Sequence, residues 1–405
     1  MKIFVQIAAY RDPQLVATIK SMIENAKRPK NLRIGIARQF HPEDGFDDLS
    51  EYEKDKRFRI LNIPYLESKG VCWARHQVQQ VYQDEEYTLQ IDSHMRFAPN
   101  WDDEMIKMIK QLQKKGHEKP LLTGYVSSFD PDNDPSGRMQ EPWRMAFDRF
   151  IPEGAVFFLP ETIPNWQNLK EPVTSRFYSA HYCFTLGQFA KEVQHNPEYY
   201  FHGEEISIAA RAYTWGYDLF HPHKTVVWHE YTREGRTKHW TDFNTENLST
   251  GVVEKPWWEM DNDSKRRLRH MLQEEDNNID LGIYGLGEVR THHDYELYAG
   301  INFKERMLHP NTIKGINPPI NDETEWYLKQ KEVYDLELEI PYTENFKFIY
   351  IGVEDENGDV IYRHDLTTYQ EKLNVKFESY EKPRKWVYWV NDINGEWSTR
   401  LDYLL

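Results

Sequence analysis

The chain has 405 residues, which at roughly 100–200 residues per domain leaves room for two or three domains with full cores and excludes a disulfide-stapled miniprotein. Its 50 lysines and arginines against 66 aspartates and glutamates give a formal charge of −16, which argues against a surface that tracks nucleic-acid phosphates but leaves room for a local basic pocket. No window approaches the ~20 apolar residues of a membrane span, and the opening MKIFVQIAAYRDP turns polar too early for a signal peptide. With only two cysteines, Cys72 and Cys183, these features predict a reducing, cytoplasmic compartment.

The first 130 or so residues alternate strand and helix signals. Ile3–Ala8 is a β-type run that stops at Asp12-Pro13. Leu15, Ile19, Met22, Ile23 and Ala26 then recur at helical spacing, with Asp12 as the expected N-cap and Pro13 at the first helical position. Strands are predicted over Leu32–Ile36, Phe58–Ile63, Glu86–Asp92 and Leu121–Phe129, and helices over Gly70–Tyr82 and Asp103–Lys115. This β-α-β alternation predicts an α/β fold with a mainly parallel sheet, whose ligands sit at the carboxyl ends of the strands. Pro131 to Asn165 reads as long loops over a cleft. A helix follows from Glu205 to about Gly216, and Thr225–Trp228 is a β-type run that delivers His229. Trp240 to His309 reads as mostly helical, notably Ser264–Glu275, and Pro310–Asn321 as a connection. Beyond Tyr334 come six short β-type runs with turn signals at Asn357-Gly358 and Asn394-Gly395, predicting an antiparallel β-sandwich. The expected division is therefore a catalytic domain over 1–315, a linker over 316–333 and a β-sandwich module over 334–405.

Asp92-Ser93-His94 sits where a strand should end, and residues two apart in extended chain point to one side. A carboxylate with an imidazole suits a divalent ion such as Mn²⁺ and leaves positions open for phosphate oxygens. The plainer reading is a strand-end aspartate capping a turn beside an incidental histidine. His229 is a candidate third ligand, and spacing leaves His221, His223 and His239 in competition with it. Cys72 and Cys183 read as buried apolar residues, since no cationic neighbour in sequence suggests a lowered pKa. Trp143, Trp166, Trp228 and Trp240 are candidates for stacking on a sugar, or else ordinary core and cover.

The run LQIDSH (89–94) resembles the Asp-x-His motif of polypeptide N-acetylgalactosaminyltransferases, and FHGEEISIAARAYTWGYDLF (201–220) resembles their Gly-Gly-Glu-Asn segment and following helix. Three further runs, IAAYRDPQL, LFHPHKTVVWHEY and YGLGEVRTHHDYELYAGINF, resemble the transferases that attach N-acetylglucosamine to hydroxyproline or hydroxyl side chains of cytoplasmic proteins, glycosyltransferase family 60. This likeness spans residues 3 to about 305 and leaves the terminal β module unexplained. It implies a GT-A, Rossmann-like fold and a retaining transferase that uses a UDP-sugar donor and Mn²⁺ or another divalent metal. It implies Asp92, His94 and His229 as metal ligands, and Ala8, Tyr10, Arg11, Gly70, Arg75, Asp92, Ser93 and His181 around the nucleotide-sugar. Glu204 and Glu205 fall on the glutamate segment as catalytic candidates; their plain alternative is acidic placement at a helix N-terminus. His202 and Glu205 depart from that motif, and Ser179-Ala180-His181 keeps neither glycine of the matching sugar-pocket element.

The reading that follows is transfer of a sugar, N-acetylglucosamine by resemblance, to a hydroxyl acceptor on a protein or glycan, with no nucleic-acid or membrane partner and a possible homo-oligomer. Two alternatives stand beside it. A metal-dependent sugar-nucleotide hydrolase would use the same Asp/His set on water, and a non-catalytic carbohydrate-binding protein would have no use for that set.

Overall fold

The computed structural model describes residues 1–151, 153–232, 235–319, 332–379 and 381–405. The chain forms two compact units, Met1–Trp326 and Tyr327–Leu405. In the first, the elements run β1 (Ile3–Tyr10), α1 (Leu15–Asn25), β2 (Leu32–Phe40), β3 (Phe58–Pro64), α2 (Val71–Gln79), β4 (Tyr87–Asp92), β5 (Met95–Phe97), α3 (Trp101–Gln113) and β6 (Pro120–Thr123). They continue with β7 (Trp143–Phe150), β8 (Val156–Thr162), β9 (Val173–Thr174), β10 (Tyr182–Leu186), α4 (Phe189–Glu192), α5 (Glu204–Thr214), β11 (Asp218–His221) and β12 (Val227–His229). The unit's last named elements are α6 (His239–Asp242), α7 (Thr245–Ser249), α8 (Trp257–Met271), α9 (His292–Ala299), β13 (Ile301–Asn302), β14 (Met307–Leu308) and α10 (Pro310–Ile313).

Eight strands form one sheet in the order β3-β2-β1-β4-β10-β6-β11-β9. β3, β2, β1 and β4 are mutually parallel, whereas β10 runs antiparallel to both β4 and β6 and β9 antiparallel to β11. Nearly every residue of β1 and β4 is buried, as both faces of a central strand demand. Ile109 and Leu112 of α3 and Ile19 and Met22 of α1 pack into the same core as Val5, Leu89 and Ile91. The α/β expectation therefore holds. The chain runs outward from β1 through β2 and β3 and returns to β4 on the other side of β1. The two paths part at the carboxyl ends of β1 and β4, where Ala8 pairs with Asp92, and that divergence opens a crevice.

Several local expectations are corrected. α1 starts at Leu15, three residues beyond Asp12, whose Oδ1 accepts from Gln14 N–H at 2.8 Å as a cap would while its Oδ2 turns inward to Ser93 and His94. The strand expected over Leu121–Phe129 stops at Thr123, before Gly124 in the left-handed region, with the His221 ring where a Cβ would lie. Residues Trp143–Thr162, expected as loop, form the antiparallel hairpin β7–β8, since the alternating aromatic runs on either side of Gly154 find each other. α8 begins at Trp257 rather than Ser264. The larger part of the expected 316–333 linker lies outside the described residues, but as far as Pro318 the chain is held on the first unit, where Thr174 Oγ1 donates to the Pro318 carbonyl at 2.6 Å.

The second unit has the six strands read from the sequence: β15 (Glu332–Glu339), β16 (Phe346–Glu354), β17 (Val360–Leu366), β18 (Lys372–Ser379), β19 (Lys385–Asp392) and β20 (Leu401–Leu404). A pair β15-β18 and a four-stranded sheet β17-β16-β19-β20 enclose a core that includes Ile351, Val375 and Trp386. Gly358 and Gly395 take positive φ in the turns that follow β16 and β19. Trp386 in β19 is buried and stacks on Tyr403, whereas Trp397, between β19 and β20, is exposed.

Gly70 precedes α2 at the mouth of the crevice with φ +104°, and a Cβ there would lie 2.8 Å from the Tyr200 ring. Both strain and contact fall on a side chain at this position, so Gly70→Ala is expected to lower the unfolding free energy by about 1–3 kcal/mol with the fold retained, as measured by denaturant titration.

Candidate active site

Asp92 ends β4, His94 follows after one residue, and β5 begins at Met95. β12 pairs antiparallel with β5 so that His229 lies opposite Met95, and Glu230 N–H donates to the His94 carbonyl at 3.1 Å. This ladder carries His229 across 135 residues of sequence (229 − 94) to the side of His94. The Asp92 Oδ2 atom is 3.3 Å from His229 Nε2 and 3.6 Å from His94 Nε2. Among the described residues these three make the one group whose donor atoms lie within 4.8 Å of one another and can hold a metal ion. One carboxylate oxygen and two imidazole nitrogens at that spacing fit a borderline divalent ion. His229 Nδ1 is buried without a hydrogen-bond partner. Burial, reinforced by His94, pulls the His229 pKa down to about 4 against the hydrogen bond to Asp92, so its ring is neutral at pH 7, as a ligand must be.

Beneath this triad lies Arg75 of α2, buried to 4 % exposure. Its Nη2 donates to Asp92 Oδ1 at 2.6 Å and its Nη1 to Glu204 Oε1 at 2.6 Å. His195 Nδ1 stands 2.9 Å from the same Glu204 oxygen. Burial works to raise the Asp92 carboxyl, but the Arg75 charge and the His229 hydrogen bond outweigh it and hold the group well below the ordinary carboxylate range. Asp12 is treated likewise: burial raises it, while the hydrogen bond and charge of His94, with the charge of Arg236, bring it to about 2. Glu205 differs. It accepts from Ala180 N–H at 2.9 Å and Tyr125 O–H at 3.0 Å, and burial, with no cation in contact, pushes its carboxyl up to about 7.

Ala8, Tyr10, Gly70, Arg75, Asp92, Ser93, His94 and His229 all line one cleft at the crevice between β1 and β4. The opposite wall comes from Tyr200, Phe201 and the segment Arg236–Trp240. The remaining expected residues stand outside that lining. Arg11 turns to Asp44 at 2.6 Å and Asp242 at 3.0 Å. His181 stacks on the His229 ring at 4.4 Å and accepts from Val126 N–H at 3.2 Å. Glu204 lies below Arg75, and Glu205 lies under Ala180. Of the competing histidines, His221 bonds the Thr123 carbonyl and His239 the Tyr200 hydroxyl, and the three-donor group contains neither, nor His223. Trp240 lines the cleft, while Trp228 is buried with its Nε1 donating to the Met139 carbonyl at 2.7 Å.

The family model described as Glycosyltransferase (GlcNAc) matches residues 2–55 and 43–305, well over half of the chain. The chain belongs to this family. Among solved structures, this glycosyltransferase is similar to GalNAc-T7 crystallised with UDP, GalNAc and Mn²⁺ at 16% identity and TM-score 0.46, covering 73% of this chain and 54% of that one, so it spans little more than half of that neighbour's length. It is also similar to TarS from S. aureus at 10% identity and TM-score 0.40, covering 100% of this chain and 77% of that one. The TarS 1–349 complex with UDP-GlcNAc gives 10% identity and TM-score 0.38 over 67% and 73% of the two chains. No curated protein matches the sequence. Among the described residues of the glycosyltransferase, no helix is long and apolar enough to cross a membrane.

Sequence reasoning missed Arg236 and Lys238, which stand on the cleft wall beyond His229, and gave Asp12 no part in the site. The signal for the first two was the basic spacing in EGRTKHW directly after the histidine-bearing strand.

Two outcomes follow for the transferase. Arg75→Met leaves buried Glu204 and half-buried Asp92 without their shared cation and is expected to cost about 3–5 kcal/mol in denaturant unfolding, far more than an exposed arginine would. The Glu205 pKa is raised on folding, so the group's contribution is full below its unfolded value near 4.5 and is lost as pH rises through about 7. Glu205→Gln removes that loss, and its melting temperature relative to the native protein is expected to rise between about pH 5 and pH 8 in paired thermal scans.

Proposed function

We propose that this glycosyltransferase is a metal-dependent, retaining enzyme of the cytoplasmic hydroxyl-modifying type, moving N-acetylglucosamine from a UDP-sugar to a hydroxyl on a protein or glycan. The observation that carries the reading is the convergence of Asp92, His94 and His229 at the crevice of the domain that the family model matches. A divalent ion such as Mn²⁺ bound by these three residues supplies Lewis-acid stabilisation of the charge that gathers on a departing diphosphate. The chain's own groups do the rest. Lys238 places positive charge along the cleft for phosphate oxygens, beside Arg236, which is held by Glu230 at 3.1 Å and Asp12 at 3.5 Å. Tyr10 and Trp240 offer ring faces to a uracil, with the buried Tyr200 and His239 rings packed beside them, and Gly70 leaves room for the Tyr200 ring.

Retention without a carboxylate nucleophile suits the cleft. Its two lining carboxylates are already committed, Asp12 to His94 and Ser93, Asp92 to Arg75 and the ligand set. In the reading proposed, the acceptor oxygen attacks the anomeric carbon on the face from which the phosphate oxygen leaves. The C–O bond to UDP breaks, the new glycosidic bond forms, and the hydroxyl proton passes to the departing phosphate. Glu204 serves by holding Arg75 against Asp92, and Glu205 by holding the Ala180 turn and Tyr125. Two free, buried cysteines accord with a reducing compartment.

A panel of UDP-sugars with Mn²⁺ is expected to give UDP release, fastest with UDP-N-acetylglucosamine, abolished by EDTA and restored by added Mn²⁺. His229→Ala is expected to slow it about 100-fold or more, the several kcal/mol that Lewis-acid stabilisation supplies. Turnover in EDTA within about tenfold of the full rate would overturn the metal's part, and sugar appearing only as free hexose in every acceptor mixture would favour the hydrolase.

A further inference from the structure

From sequence, Asp12 is a helix cap. In the structure only one of its oxygens serves the turn into α1, Oδ1 accepting from Gln14 N–H at 2.8 Å. The other, Oδ2, is turned away from the helix and accepts from His94 Nδ1 at 2.7 Å and Ser93 Oγ at 2.8 Å, with Arg236 Nη1 at 3.5 Å. The residue is 4 % exposed. One buried oxygen at the end of β1 thus meets two other segments: the turn after β4 and the stretch beyond β12 that walls the cleft.

A carboxylate only accepts, so the hydrogen of a neutral His94 ring belongs on Nδ1. The Nε2 lone pair is then the one left facing Asp92 Oδ2, 3.6 Å away, and the His229 ring, whose centroid is 4.7 Å from that of His94. Turning the ring over would give up the Asp12 bond and present a C–H to the same point. A cap alone would need neither the burial nor the second oxygen's partners. We propose that Asp12 is a positioning residue of the transferase, fixing the orientation and tautomer of His94 and anchoring Arg236 to the same carboxylate. Its bearing on metal binding rests on the reading that Asp92, His94 and His229 hold a divalent ion. Asp12 touches His94 rather than the reacting atoms, so its effect reaches the reaction through that ring and through the cleft wall.

The test uses the full chain, free of metal, with ¹⁵N-labelled histidine. Long-range ¹H–¹⁵N correlation, recorded at a pH high enough that the His94 ring carries a single hydrogen and with His94→Gln for assignment, is expected to show that hydrogen on Nδ1. Asp12→Asn, nearly isosteric, is expected to lose that signature and to weaken Mn²⁺ binding by about 10–100-fold, read from free Mn²⁺ by electron paramagnetic resonance. A native His94 with its hydrogen on Nε2 would overturn the proposal without any variant being needed. A folded Asp12→Asn protein that binds Mn²⁺ as tightly as the native one would overturn it as well. Failure of the native protein to bind Mn²⁺ would overturn the metal reading instead, and the tautomer measurement would still decide the role of Asp12.

Discussion

A single buried guanidinium organises the catalytic unit. Arg75 on α2 is the shared partner of Asp92 at the end of β4 and Glu204 at the start of α5, two carboxylates that would repel each other without it. Removing three charges from water is expensive, and the arrangement is favourable only because both oxygens are met by planar N–H donors at 2.6 Å and His195 approaches the same Glu204 oxygen. The result is an Asp92 whose Oδ1 is engaged and whose Oδ2 is free to face two imidazoles. It also keeps that carboxylate ionised in a place where burial alone would protonate it.

The sheet supplies the other half of the constraint. Parallel pairing of β1 with β4 puts Ala8 beside Asp92 at the edge where successive connections diverge, so the backbone there cannot be covered by a crossover helix. The short β5–β12 ladder then sets the second histidine against the first, and its register matters, since a slip by one residue would turn His229 to the opposite face. Two histidines, a carboxylate and an arginine in contact would be unstable if all titrated freely. Burial holds His229 neutral and the Arg75 charge holds Asp92 ionised against burial, which is the protonation pattern a cation-binding set requires.

Among the described residues, the two carboxylates that line the cleft, Asp12 and Asp92, both have hydrogen-bonding partners. Glu204 and Glu205 sit side by side in sequence at the start of one helix yet meet different surroundings: one faces a cation and is depressed, the other faces an N–H and a phenol and is raised. Neither lines the cleft. Their separation into support under Arg75 and support under Ala180 follows from helix geometry, because adjacent residues on a helix point about 100° apart.

The sequence by itself determined the features that depend on neighbours along the chain. Alternating apolar runs and breaker residues showed the first α/β strands and helices and all six strands of the terminal sandwich, while Asp92 and His94 were legible together because two-residue spacing on an extended segment is a local fact. Tertiary structure alone decided the rest. The choice of His229 over His221, His223 and His239 depended on which strand pairs with β5, the partners of Arg75 on where α5 begins relative to β4, and the inward turn of Asp12 on the nearness of His94 to the end of β1. The β7–β8 hairpin went unread because a Pro- and Asp-rich flank outweighed two alternating aromatic runs. Periodicity reports which face of an element is buried. It is silent on which charged group, more than a hundred residues away, will be brought against it, and in a cleft built from ion pairs and hydrogen bonds that is the information that fixes the chemistry.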